Sequence, residues 1–163
     1  MTPVDVLTDA AEATVNLSRT KGWVTDVEQT LSLVAQQLLS HLEAGDRAGF
    51  LVPSMFELDG KREIGAVLLL ERRAIFAWVT GLIRTKSHAE VVSYDSIREV
   101  SQTTRSISTK HRPGEEELLV SAAKTWRLLM TNDDYCPKNI VPMVRGILNG
   151  SISAVLGEQQ GDQ

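Results

Sequence analysis

With 163 residues, 42% of them hydrophobic, the chain is sized for one domain, or one domain with an arm, and can bury a sizeable core. Its formal net charge of −4 supplies no overall field to draw it onto nucleic acid, and its single cysteine, Cys136, excludes an internal disulfide and fits a buried thiol in a reducing compartment. No apolar stretch approaches the ~20 residues of a spanning helix, and the acidic opening MTPVDVLTDAAEAT argues against a secretory leader, so a cytoplasmic location is expected.

The first helix is expected from Thr2, which can cap, through Pro3 in the first turn and Asp5 at the positive end, to about Ser18. Its apolar residues Val4, Leu7, Ala11 and Val15 form a weak stripe, and Lys21-Gly22 breaks it. Thr25-Asp26-Val27-Glu28 reads as a capping box opening a stronger helix that ends at Gly45. Val27, Leu31, Val34, Leu38 and Leu42 share one of its faces, widened by Ala35 and Leu39. That stripe fits either packing on the chain's own domain or docking on a partner. In the docking case Leu31, Val34 and Leu38, with Trp23 in the turn before the helix, are the candidate partner-binding residues.

After Gly45 the period changes. Phe50–Leu58 contains Pro53 and is expected as an edge or bulged strand, followed by an Asp59-Gly60 turn. Ile64–Leu70 is an almost continuous apolar run, turned by Glu71-Arg72-Arg73. In Ala74–Thr80, Ala74, Phe76 and Trp78 face one way while Ile75, Ala77 and Val79 face the other, which places the strand centrally. Leu82–His88 is expected as a basic loop and Glu90–Tyr94 as a strand. Beyond the corner at Asp95-Ser96 an increasingly polar strand runs from Ile97 to about Ile107. Leu118–Ala122 and Thr125–Thr131 form a hairpin. Asn139 can cap a last helix carrying Pro142 in its first turn and Ile140, Val144, Ile147, Leu148 and Val155 on one face.

Three segments carry a resemblance. They are Leu68-Leu69-Leu70-Glu71-Arg72-Arg73-Ala74-Ile75-Phe76, Val92-Ser93-Tyr94-Asp95-Ser96-Ile97-Arg98-Glu99-Val100, and the hairpin Leu118–Met130 with Trp126 inside it. About seven antiparallel strands closed by one C-terminal helix looks like the pleckstrin-homology (PH) superfold, nearest its bacterial PH-like and GRAM-type members. The expected fold is α+β: a PH-like antiparallel barrel or sandwich over residues 46–156, a helical arm over 1–45 and a disordered tail over 157–163. Such domains include phosphoinositide binders, peptide binders and structural adaptors, and a fold alone does not choose among them.

The searched-for chemistry is mostly missing. Gly60, Gly65 and Gly81 lie among strands and make no phosphate-cradling loop. His41, His88 and His111 lack ligand spacing, Asp133-Asp134 reads as a solvated turn, and no nucleophile elbow is present. No catalytic residue, cofactor or metal is therefore assigned. One basic constellation stands out: Arg84, Lys86, Arg98, Arg105, Lys110 and Arg112, with two histidines and only three acids between the ends. On one rim these groups would suit anionic headgroups; otherwise they are ordinary solvated charges. The leading expectation is a non-catalytic interaction module that binds a protein or peptide or self-associates, through the second helix or through the polar strand near 101–108 as a free edge. The alternatives are a membrane-surface adaptor using the basic loops, or a small acidic secretion chaperone or toxin-immunity protein.

Overall fold

The computed structural model describes residues 2–21, 27–81, 83–105, 115–131 and 140–151. Trp23, Thr25, Lys110, His111, Arg112, Asp133, Asp134, Cys136, Asn139, Val155 and the tail from 157 lie outside the described residues. The fold is α+β. Helices α1 (Pro3–Lys21) and α2 (Val27–His41) precede seven strands: β1 (Phe50–Leu58), β2 (Lys61–Leu69), β3 (Arg73–Thr80), β4 (Lys86–Ser93), β5 (Glu99–Arg105), β6 (Glu115–Ser121) and β7 (Thr125–Thr131). A 3-10 turn, Tyr94–Ser96, joins β4 to β5. A short helix α3 (Ile140–Gly146) follows, continued by a wider turn over Ile147–Ser151.

The strands make one antiparallel sheet in the order β4-β3-β2-β1-β7-β6-β5. β4 and β5 stand at its two ends and do not pair with one another, so the sheet is open rather than a closed barrel.

Local chemistry accounts for the element ends. Thr2 Oγ1 accepts from the Asp5 N–H at 3.2 Å, and the Asp5 carboxylate accepts from the Thr2 N–H at 2.9 Å and from its hydroxyl at 2.8 Å. Those bonds, the backbone one first, hold the Asp5 carboxyl below its ordinary range. Asp59 (φ 50) and Gly60 (φ 77) both take positive φ, as a tight two-residue hairpin between Leu58 and Lys61 requires. Gly65 stands opposite Trp78 with no room for a side chain: a Cβ there would lie 2.0 Å from the Ala77 carbonyl oxygen and 2.7 Å from the Phe56 ring.

Two expectations are corrected. β1 is not an edge strand; it sits in the middle of the sheet between β2 and β7. Among the described residues its ladder with β7 covers Met55 and Phe56. Earlier in the strand the Leu51 N–H donates to Thr14 Oγ1 of α1 at 2.9 Å, and Thr14 in turn donates to the Ala10 carbonyl at 3.1 Å. N–H groups two residues apart on a strand point to the same side, so Pro53 stands where no ladder asks for one. Secondly, Lys86, Ser87 and His88 belong to β4 and not to a loop, because they complete the β3 ladder from Trp78↔His88 to Thr80↔Lys86.

Two cores form, one on each face. On the inner face Phe50, Val52, Phe56, Val67, Leu69, Phe76, Trp78, Val100, Leu118, Val120, Trp126 and Leu128 pack with Val144, Ile147 and Leu148 from the C-terminal helical segment. On the outer face Val6, Leu7, Ala10, Ala11, Val27, Val34 and Leu38 of the N-terminal helices pack on Leu51, Ala66, Leu68, Ile75 and Ala77. Arg73 pins this layer at the end of α2: its guanidinium donates to both Asp46 carboxylate oxygens (2.6 and 3.3 Å) and to the His41 carbonyl (2.8 Å).

Candidate interaction surface

Among the described residues β4 pairs only with β3, and β5 only with β6. An unpaired strand presents a row of backbone donors and acceptors that another chain can complete. On β4, Lys86, Glu90 and Val91 are exposed while Ser87, His88 and Ala89 are half-buried, so no residue from 86 to 91 is buried. Val91, 41% exposed, is one of five large hydrophobic side chains left in solvent among the described residues. β5 is more polar, its described side chains running Glu99, Val100, Ser101, Gln102, Thr103, and only Val100 is buried.

Across the opening, the β6–β7 turn reaches toward β4. Lys124 Nζ lies 2.9 Å from Glu90 Oε1 and 4.0 Å above the centre of the Trp126 ring. Trp78 and Trp126 meet edge to face at 5.5 Å, and the His88 ring stacks on Trp78 at 5.6 Å. His88 Nε2 is 2.9 Å from the Thr80 hydroxyl. Half-exposed as it is, the Lys124–Glu90 pair contributes little by charge alone; the cation over Trp126 adds about 0.5–1 kcal/mol of attraction at such a site. Together they hold the turn over the inner face beside β4.

The candidate residues read from the sequence divide as follows. Val34 and Leu38 are fully buried under the chain's own outer face, and Leu31 is half-buried against the same core. Packing on β1–β3 thus occupies the stripe that docking would have used, and the exposed apolar residue of α2 is Leu33 instead. Trp23 lies outside the described residues. Arg84 and Lys86 are exposed at the β3–β4 connection. Arg98 is held elsewhere: its backbone N–H donates to the Ser121 carbonyl and its guanidinium to the Ala122 carbonyl, both at 2.8 Å, so it fastens β5 to the β6–β7 turn. Arg105 ends β5, and Lys110 and Arg112 lie outside the described residues.

The sequence reading missed Ile83, which is 97% exposed beside Arg84 at the tip of the β3–β4 connection. Its only signal was an isoleucine inside a basic loop. Among the described residues no group of three or more His, Cys, Asp or Glu is placed to hold a metal ion, and no helix is long and apolar enough to cross a membrane. No family model, no curated protein and no solved structure matches this chain.

Proposed function

We propose that this chain is a non-catalytic, PH-like interaction module that captures an extended segment of a protein by strand addition at its open sheet edge. The observation that carries the reading is β4: an edge strand without a buried residue from 86 to 91, next to an opening that β5 does not fill. Seven antiparallel strands and a C-terminal helix against the inner core support the PH-like part of the reading, in a sheet that is open where the resemblance implies a barrel or sandwich. Backbone hydrogen bonds supply affinity in such a mode, and alternate side chains supply specificity. The test is a pull-down from the native cytoplasm with wild type and Val91→Lys, since an added lysine blunts an edge strand. Loss of a stoichiometric partner in the variant is the expected result; equal capture by both proteins would refute strand addition at β4.

The tip of the β3–β4 connection favours a second reading, a membrane-surface adaptor. A fully exposed Ile83 flanked by Arg84 and Lys86 combines an apolar anchor with groups that attract acidic headgroups. Salt-sensitive sedimentation with phosphatidylserine-containing liposomes, lost in Ile83→Ser, would support it. No sedimentation at low salt would rule it out.

A further inference from the structure

We infer that the occupant of the β4 edge is a second copy of this chain, paired with β4 antiparallel about a two-fold axis through His88. This rests on the edge-strand reading above.

The argument is one of register. Lys86, His88 and Glu90 alternate along β4 opposite Thr80, Trp78 and Phe76, and so share the inner face. In a two-fold antiparallel pairing that keeps both inner faces on one side, these positions meet only inner-face positions of the other copy. Centring the axis on Lys86 or on Glu90 sets like charges directly opposite, which is unfavourable. Centring it on His88 sets Lys86 against the partner copy's Glu90 twice, with Ser87 against Ala89 on the other face. Centring it on Ala89 forms only His88–Glu90 pairs and leaves both lysines opposite Val92. Of these registers, only the one centred on His88 sets Lys86 and Glu90 against each other.

The rest of the edge is compatible with that partner. Glu90 is 46% exposed in its side chain and meets Lys124 through Oε1. The exposed Val91 flanks the paired segment on the outer face, beside the helical layer that covers β3 and β4. Because the axis stands perpendicular to the sheet, the helical layers of both copies fall on the same side. An edge that is self-complementary in backbone, charge and apolar character needs no other molecule to satisfy it.

The experiment is sedimentation equilibrium of the full chain, comparing wild type, Lys86→Glu, Glu90→Lys, the double swap and Val91→Lys. The expected result is a wild-type dimer, a dissociation constant at least tenfold weaker in each single swap, and recovery in the double variant, where each pair is restored with its signs exchanged. In a Cys136→Ser background, His88→Cys should give a disulfide dimer on mild oxidation, since opposed residues of an antiparallel pair lie about 4.5–5.5 Å apart, within the span of a disulfide. A wild-type monomer at 100 times the protein concentration used in the pull-down overturns the proposal. If capture of a different protein is still lost in Val91→Lys, strand addition itself survives. A dimer indifferent to Val91→Lys and to the swaps overturns the proposal and the edge reading together.

Discussion

Strands β2 and β3 bury long runs on both faces, whereas β6 and β7 bury their inner face and, among the described residues, only Glu117 and Leu129 on the outer one. Ala66 through Leu70 and Ala74 through Trp78 are buried without a break, because the N-terminal helices cover one side and the aromatic inner core the other. In β6 and β7 the inward residues Leu118, Val120, Trp126 and Leu128 are buried, and Leu119, Ser121 and Arg127 between them are half-exposed. The outer face of this half carries an ion cluster in place of a helix: Arg127 meets Glu117 at 2.9 Å and Glu57 at 3.4 Å. The same sheet thus solves one problem twice. Where helices supply a second layer, sequence becomes continuously apolar; where water does, it alternates and pairs its charges. The half with two layers positions β4 firmly, and the open side of the sheet begins where that layering ends.

Substitutions sharpen this contrast. The largest effect is expected at Leu68, fully buried under α1 and α2. Leu68→Ala should cost about 2–5 kcal/mol in denaturant unfolding, and a cost near zero would mean that the helices do not cover β2. Thr14→Val leaves the buried Leu51 N–H without its acceptor and should cost about 1–3 kcal/mol, measurable by the same method and by faster amide exchange at Leu51. In the one-layer half, Arg127→Met should cost about 1–2 kcal/mol, since the Glu117 carboxylate is 6% exposed but the guanidinium that pairs with it is 41% exposed. If it costs more than Leu68→Ala, charge pairing rather than layering dominates and the comparison fails.

The smallest effect belongs to Tyr94, at the joint between the halves. Its hydroxyl donates to the Leu70 carbonyl at 2.5 Å, and Tyr94→Phe should cost about 1 kcal/mol at neutral pH. Burial pushes the phenol above its ordinary range. The folded chain therefore keeps a proton that the unfolded chain loses above a pH of about 10. The contribution is intact below that pH and falls away as pH rises beyond it. Alkaline titration of thermal stability should show a steeper decline for wild type than for Tyr94→Phe; parallel curves would place the hydroxyl in water.

Much of the fold was legible because local chemistry and global packing agree. The Asp59-Gly60 hairpin, the alternation that sent Phe76 and Trp78 one way and Ile75 and Ala77 the other, and the Thr2–Asp5 helix start all hold. Pro53 misled because its reason lies far away in Thr14, which takes the neighbouring backbone donor. Lys86–His88 misled because an exposed edge strand has no apolar period to read. The stripe on α2 announced burial without naming what it would be buried against; Val34 and Leu38 read alike whether the covering surface is the same chain or another. For the surface itself the sequence offered charges, and only the strand order showed which of them stand on an open edge.

The meeting of Trp78 and Trp126, with rings 5.5 Å apart and inclined at 65°, has an optical consequence. Two indoles this close and this skewed couple their strong ultraviolet transitions, which splits the band into lobes of opposite sign in circular dichroism. Trp78 is contributed by β3 and Trp126 by β7, on opposite sides of the central strand β1, so the couplet requires the curled inner face to be assembled. Its amplitude is a built-in reporter, free of any added label, of whether the two halves of the sheet still face each other.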